Sequence, residues 1–257
     1  MARTRKLVVG NWKMYIDSTA KAKDLMGKVS RTASRLKRTD VLVCPPHAFL
    51  GLFAGRSISR GGLCLGAQDV SIDIEAARTG ESSVYMLKSL GIAHVIVGHS
   101  ERRAKGESDA VISMKIARLL KAGLTPILCI GESERDMHGE YLAFLEREIR
   151  ESLRGVPKAK AKQIIVAYEP LWAIGKSADD AVTPQILHET ALFIKKILVS
   201  MYGRAIGGAV KILYGGSVES SNAGALIAGG TVDGLLVGHA STDAEEFAGI
   251  LKSVDSN

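Results

Sequence analysis

Eight short, apolar, β-rich runs recur along this chain, at residues 7–10, 41–44, 63–67, 93–97, 125–130, 164–168, 210–214 and 234–237, and helix-length segments separate them. Most of these runs are continuously apolar, the pattern of strands covered on both faces. The segments between them carry helical periodicity. Ile112, Ile116, Leu119 and Leu120 form one stripe within 109–121, and Leu187, Ala191, Ile194 and Leu198 form another within 184–199. Thr183 before Pro184 reads as an N-cap with proline at the first helical position, and Thr242 with Glu245 reads as a capping box for the last helix. Strands alternating with helices make parallel βαβ units. Eight such units in 257 residues fit one closed (β/α)8 barrel, an α/β fold that spans residues 1–257 as a single domain.

An open doubly wound sheet is the rival, and it would gather its site at one switch point. Here the residues with chemistry follow the first, fourth, sixth, seventh and eighth runs. A closed barrel brings every strand's C-terminal end to one rim, so this spread favours the barrel. Asn11 and Lys13 follow the first run; alternation along an extended segment would point both to the same side. His99 follows the fourth run and opens a helical turn, where the local positive dipole favours a neutral, hydrogen-bond-donating imidazole. Glu169 ends the sixth run, and Pro170 forces it to be extended. The segment 171–180 then mixes glycine, serine and small residues, as a lid does; closing it would desolvate the carboxylate and raise its basicity. Gly215-Gly216-Ser217 and Gly238-His239-Ala240-Ser241 follow the last two runs, where barrels commonly bind phosphate. Gly175-Lys176-Ser177 lacks the earlier glycine of a Walker loop, since Pro170 stands there, so an ATP-binding P-loop is rejected.

The formal net charge of +7 suits either nucleic acid or an anionic metabolite. Arg31, Arg35, Lys37 and Arg38 make the longest basic stretch, read as a solvated face of a surface helix. With 5% aromatic residues and none interleaved there, no base-stacking platform is built, and no nucleic-acid partner is expected. Cys44, Cys64 and Cys129 are odd in number, far apart and set in apolar runs, which indicates reduced core thiols and no zinc site. His94, His47, His138 and His188 have no supporting pattern and read as structural. Neither a signal peptide nor a membrane-length apolar run is seen, so no membrane partner and a cytoplasmic location are expected.

Several ordered segments are shared with one family. Gly10-Asn11-Trp12-Lys13-Met14, Gly66-Ala67-Gln68, Thr79-Gly80-Glu81, Gly98-His99-Ser100-Glu101-Arg102-Arg103, Gly106-Glu107-Ser108-Asp109, Cys129-Ile130-Gly131-Glu132, Ala167-Tyr168-Glu169-Pro170, Trp172-Ala173-Ile174-Gly175 and Tyr214-Gly215-Gly216-Ser217-Val218 run the length of the chain. In these the chain resembles the triosephosphate isomerases. The resemblance implies a TIM barrel that interconverts dihydroxyacetone phosphate and D-glyceraldehyde 3-phosphate, in glycolysis and gluconeogenesis, through an enediol(ate) and without metal or organic cofactor. It implies Glu169 as base, His99 as neutral electrophile, Lys13 as the offsetting cation and Asn11 as a donor near the substrate oxygen. Gly175, Ser217, Gly238 and the His239 amide match the phosphate cradle, while Cys129, Glu101 and Ser100 match supporting residues. The family's homodimer is implied too, with a loop at 69–80, tip residue Thr79, reaching a neighbour near Asn11, Met14 and His99. The chain departs from the family at the lid tip (175–180), at His239 in place of a second glycine, and by one missing residue between Arg103 and Gly106. The alternatives are another phosphosugar-binding barrel enzyme, which would need a metal site or a Schiff-base lysine, and a non-catalytic scaffold barrel, which would have lost a catalytic residue.

Overall fold

The computed structural model describes residues 5–54, 62–73, 77–175 and 182–257. Eight strands run in chain order: β1 Lys6–Asn11, β2 Thr39–Cys44, β3 Leu63–Ala67, β4 His94–Val97, β5 Thr125–Ile130, β6 Ile165–Tyr168, β7 Lys211–Tyr214 and β8 Gly234–Val237. Every neighbouring pair is parallel, and β1 pairs with β8 in the register Leu7↔Gly234, which closes the barrel. The apolar runs thus mark the strands to within about two residues.

Alternation along each strand divides the core in two. Leu7, Val9, Leu42, Ile96, Ile127, Cys129, Ile165 and Leu213 fill the barrel interior. Val8, Val41, Val95, Leu128 and Val166 face outward and meet the helices. The two helical stripes read from the sequence belong to the outer layer: Ile112, Ile116, Leu119 and Leu120 on helix Asp109–Ala122, and Leu187, Ala191, Ile194 and Leu198 on helix Pro184–Tyr202. Burying each leucine or isoleucine side chain among these contributes roughly 1.5–3 kcal/mol, so strand and helix hold each other in place. Thr183 caps the second of these helices, accepting the N–H of Ile186.

Three local expectations are corrected. The last helix, Ala244–Asp255, is capped by Asp243, which accepts the N–H groups of Glu245 and Glu246. Thr242 instead ends a 3-10 turn, His239–Thr242, and its hydroxyl donates to the His239 carbonyl. The helix carrying Arg31 stops at Ala33, so Arg35, Lys37 and Arg38 lie beyond it. The Lys37 and Arg38 N–H groups dock on the Asp255 carboxylate, which joins that turn to the final helix. Cys64 is exposed rather than in the core, because it is only the second residue of β3 and sits at the open N-terminal mouth; Cys44 and Cys129 are buried. No described helix is long and apolar enough to cross a membrane.

Candidate active site

At the C-terminal ends of the strands a cavity of about 280 Å³ gathers Asn11, Lys13, His99, Glu169, Gly175, Ser217, Gly238 and His239. All eight were singled out in the sequence, and the barrel brings them together from five strand ends.

Glu169 directly follows β6, and its N–H donates to the Ile130 carbonyl at 2.7 Å, which ties it to the end of β5. The residue is 3% exposed. Two glycines make room for it. A Cβ on Gly131 would fall 1.9 Å from the Glu169 carbonyl oxygen, and one on Gly215 would fall 2.8 Å from its Cγ. The carboxylate rests against the turn after β4: Oε1 lies 3.4 Å from His99 Nε2, and Oε2 accepts the Ser100 N–H at 3.4 Å.

His99 is the N-cap of the short helix Ser100–Arg103, and its Nδ1 accepts the Glu101 N–H at 3.2 Å. A nitrogen that accepts must keep its lone pair, so the neutral ring carries its proton on Nε2, the atom that faces Glu169.

Lys13 reaches the cavity by a different route from simple alternation. β1 ends at Asn11, and Lys13 has φ +46, the left-handed region that non-glycine residues seldom occupy. The conformation is held from several sides. Its N–H donates to Asn11 Oδ1 at 3.1 Å, and its carbonyl accepts from Gln68 Nε2 at 3.0 Å. The ammonium then meets Glu101 at 2.7 Å. Burial acts to raise the Glu101 pKa, but the hydrogen bond and charge of Lys13 win and hold that carboxyl below its usual range.

The phosphate-side residues sit opposite. The Ser217 hydroxyl donates to the Ala173 carbonyl at 2.9 Å, joining the turn after β7 to the base of the segment after Glu169. His239 opens the 3-10 turn after β8, and its ring packs edge-on against Tyr15 with centroids 4.9 Å apart. Tyr15 lines the same cavity and carried no distinguishing signal in the sequence. Lid residues 176–180 and loop residues 74–76 lie outside the described residues. Thr79 and Met14 are exposed, Met14 at 89%.

Two supporting residues were quoted in the sequence motifs without a role. Glu132 is buried, and its Oε1 accepts from the Tyr168 hydroxyl at 2.7 Å, Trp172 Nε1 at 2.9 Å and Arg135 Nε at 3.1 Å. It therefore clamps the turn Leu171–Ala173 beside Glu169. Arg103 spans two strand ends, donating to the carbonyls of Gly98 at 2.8 Å and Cys129 at 3.2 Å. The Cys129 thiol is pushed well up by burial and by the charge and hydrogen bond of Glu169, so it is no nucleophile. His94 begins β4, at the other end of the barrel from the cavity. Among the described residues no group of three or more His, Cys, Asp or Glu side chains is placed to hold a metal ion.

The triosephosphate isomerase family model matches residues 6–254. The triosephosphate isomerase of Carboxydothermus hydrogenoformans is 39% identical over 251 residues, covering 96% of this chain and 98% of that one. That of Roseiflexus castenholzii is 42% identical over 252 residues, covering 95% and 96%. The crystal structure of triosephosphate isomerase from Bartonella henselae superposes with a TM-score of 0.82 at 34% identity, over 97% of this chain and 98% of that one. With a cavity of this composition at the rim of a closed eight-stranded barrel, the chain belongs to the triosephosphate isomerase family.

Proposed function

We propose that this chain interconverts dihydroxyacetone phosphate and D-glyceraldehyde 3-phosphate with Glu169 as the base, His99 and Lys13 as the groups that stabilise the enediolate, and Asn11 as a donor to the substrate oxygens. The observation that carries the reading is the buried contact of Glu169 with the Nε2 side of His99 at 3.4 Å, in one cavity with Lys13. Substrate phosphate would lie among Gly175, Ser217, Gly238 and the amide of His239, where backbone N–H groups and a turn favour an anion. Glu169 takes a proton from the carbon beside the ketone carbonyl. The electron pair forms the carbon–carbon double bond, and the carbonyl oxygen becomes anionic. His99 Nε2–H and the Lys13 ammonium stabilise that oxygen. Glu169 then returns the proton to the neighbouring carbon, while the imidazole passes a proton between the two oxygens. One proton has changed carbon and one has changed oxygen, so the balance needs no oxidant and no cofactor.

The same reading makes Cys129, Glu101 and Ser100 supporting residues and His239 a residue of the phosphate rim. It also makes the protein a cytoplasmic homodimer, with Thr79 of one subunit near Met14 of the other. Exposed Met14, Tyr15, Tyr85 and Met86 are apolar surface that such a contact would cover.

The test is the initial rate on D-glyceraldehyde 3-phosphate for the wild type and Glu169→Gln, which keeps the shape and removes the base. Positioned general bases contribute about 10²–10⁴-fold, so kcat should fall by at least about a hundredfold. A variant within tenfold of wild type would overturn the assignment.

A further inference from the structure

Behind the base, in the wall between barrel and helices, lies a second carboxylate. Glu148, on helix Glu140–Ser152, is buried, and its Oε2 accepts the Gly131 N–H at 2.8 Å. Arg103 Nη1 approaches its Oε1 at 3.2 Å, but the same nitrogen is held by Asp109 at 2.6 Å. One guanidinium therefore serves two carboxylates, of which Glu148 is buried and Asp109 partly exposed. The charged groups that bear on Glu148 are Arg103 from the turn after β4, Asp109 from the start of the next helix and Glu169 from the end of β6. Burial pushes the Glu148 carboxyl up to about 7, against the pull of Arg103 and the Gly131 N–H, with Asp109 and Glu169 adding to the rise.

Two observations connect Glu148 to the reaction. Gly131, whose N–H it holds, is the residue on which the Glu169 backbone is packed without room for a Cβ. The charge of Glu169 also bears on Glu148, and the buried Cys129 thiol, hydrogen-bonded to Glu169, feels the charges of Arg103 and Glu148 as well.

We propose that Glu148 is a positioning residue for the isomerisation: it fixes the segment under Glu169 through the Gly131 N–H, and its charge, coupled to that of Glu169, makes Glu169 a stronger base. The proposal rests on Glu169 being that base. When Glu148 is ionised, a second negative charge behind Glu169 favours proton uptake from substrate. When Glu148 is protonated, that assistance is lost.

The experiment is the pH profile of kcat and kcat/KM for wild type, Glu148→Gln and Glu169→Gln, with a 13C-carboxyl NMR titration of Glu148 in wild type and Glu169→Gln. The wild-type profile should carry an inflection near pH 7 that Glu148→Gln lacks. On the alkaline side the variant should lose roughly threefold to tenfold, in kcat more than in KM, the scale of coupling between neighbouring groups. Coupling is reciprocal, so the Glu148 midpoint should fall by about half a unit or more in Glu169→Gln. Profiles that superimpose, even with a changed melting temperature, would overturn the proposal and leave Glu148 a packing residue. A Glu148 midpoint unmoved by Glu169→Gln would overturn it too, and that measurement does not depend on Glu148→Gln folding. Full activity in Glu169→Gln would instead remove the base assignment itself. An inactive Glu169→Gln with superimposable wild-type and Glu148→Gln profiles would remove only the role of Glu148.

Discussion

The two ends of the cavity are built from different materials. At the carboxylate end, Glu169 and His99 are buried and braced by side chains from distant strands: Glu132 with Tyr168 and Trp172 on one side, Arg103 on the other. At the phosphate end the wall is glycine, serine and backbone, and the one large side chain on the turn after β8, His239, is exposed. The difference follows from what each end does. A proton-transferring carboxylate must be desolvated and held to within fractions of an ångström, which takes a scaffold of interlocked side chains. An anion is satisfied by N–H groups that any short turn presents, so that end tolerates change. Substitutions should therefore cost most at the carboxylate end.

The largest effect is expected for Glu132→Leu. Three donors converge on one oxygen, and removing it leaves the Tyr168 O–H and the Trp172 N–H without this acceptor and frees part of Arg135, although the Tyr168 oxygen still accepts from Arg135. Each buried unsatisfied donor costs about 1–3 kcal/mol, and Arg135 keeps other partners. Stability in urea should drop by about 3 kcal/mol, and kcat by about tenfold or more, as the turn beside Glu169 loses its clamp. Glu132→Gln retains an acceptor and should lose less than half of that. A Leu variant as stable as wild type would mean that this end is held by packing alone. Next comes Gly215→Ala, where a methyl would sit 2.8 Å from Glu169 Cγ. Here kcat should fall by about a hundredfold with little change in melting temperature, because only the side chain of the base is displaced. Unchanged kcat would show that the carboxylate has more room than the comparison assumes.

The same contrast explains what was legible in the sequence. The strands were readable because a parallel barrel demands continuous apolar runs, and the rim residues because each follows such a run. Asn11, Lys13, His99 and Glu169 could be placed by local rules. Even so, strand alternation does not aim Lys13; a left-handed backbone beyond the end of β1 directs it. The last helix start was misplaced by one residue because Thr242 and Asp243 are both capping residues, and only the 3-10 turn decides between them. The brace at the carboxylate end was not readable. Glu132 finds Tyr168 and Trp172 36 and 40 residues away, and Arg103 finds Cys129 26 residues away. No periodicity records such pairings. The phosphate end uses local backbone and so shows in the sequence as glycine.

The smallest effect, and the sharpest check on the tolerant end, is His239→Gly. The imidazole packs on Tyr15, with Lys13 lining the same cavity, and its charge bears on Asp243. Replacing it with glycine keeps the backbone donor at position 239, so kcat should change by less than about twofold if that amide does the binding. The side chain acts only when charged. A positive ring at the rim favours a phosphate dianion, so the wild-type KM should fall relative to the variant as pH is lowered. Substrate phosphate also titrates, at about 6, but its contribution is common to both proteins and cancels in the ratio of their KM values. That ratio should move by roughly twofold to fivefold between pH 8 and pH 6, and less in high salt, as expected for one exposed charge near an anion. A ratio that stays flat with pH would make His239 a spectator packed on Tyr15. A kcat loss as large as that of Gly215→Ala would erase the distinction between the two ends.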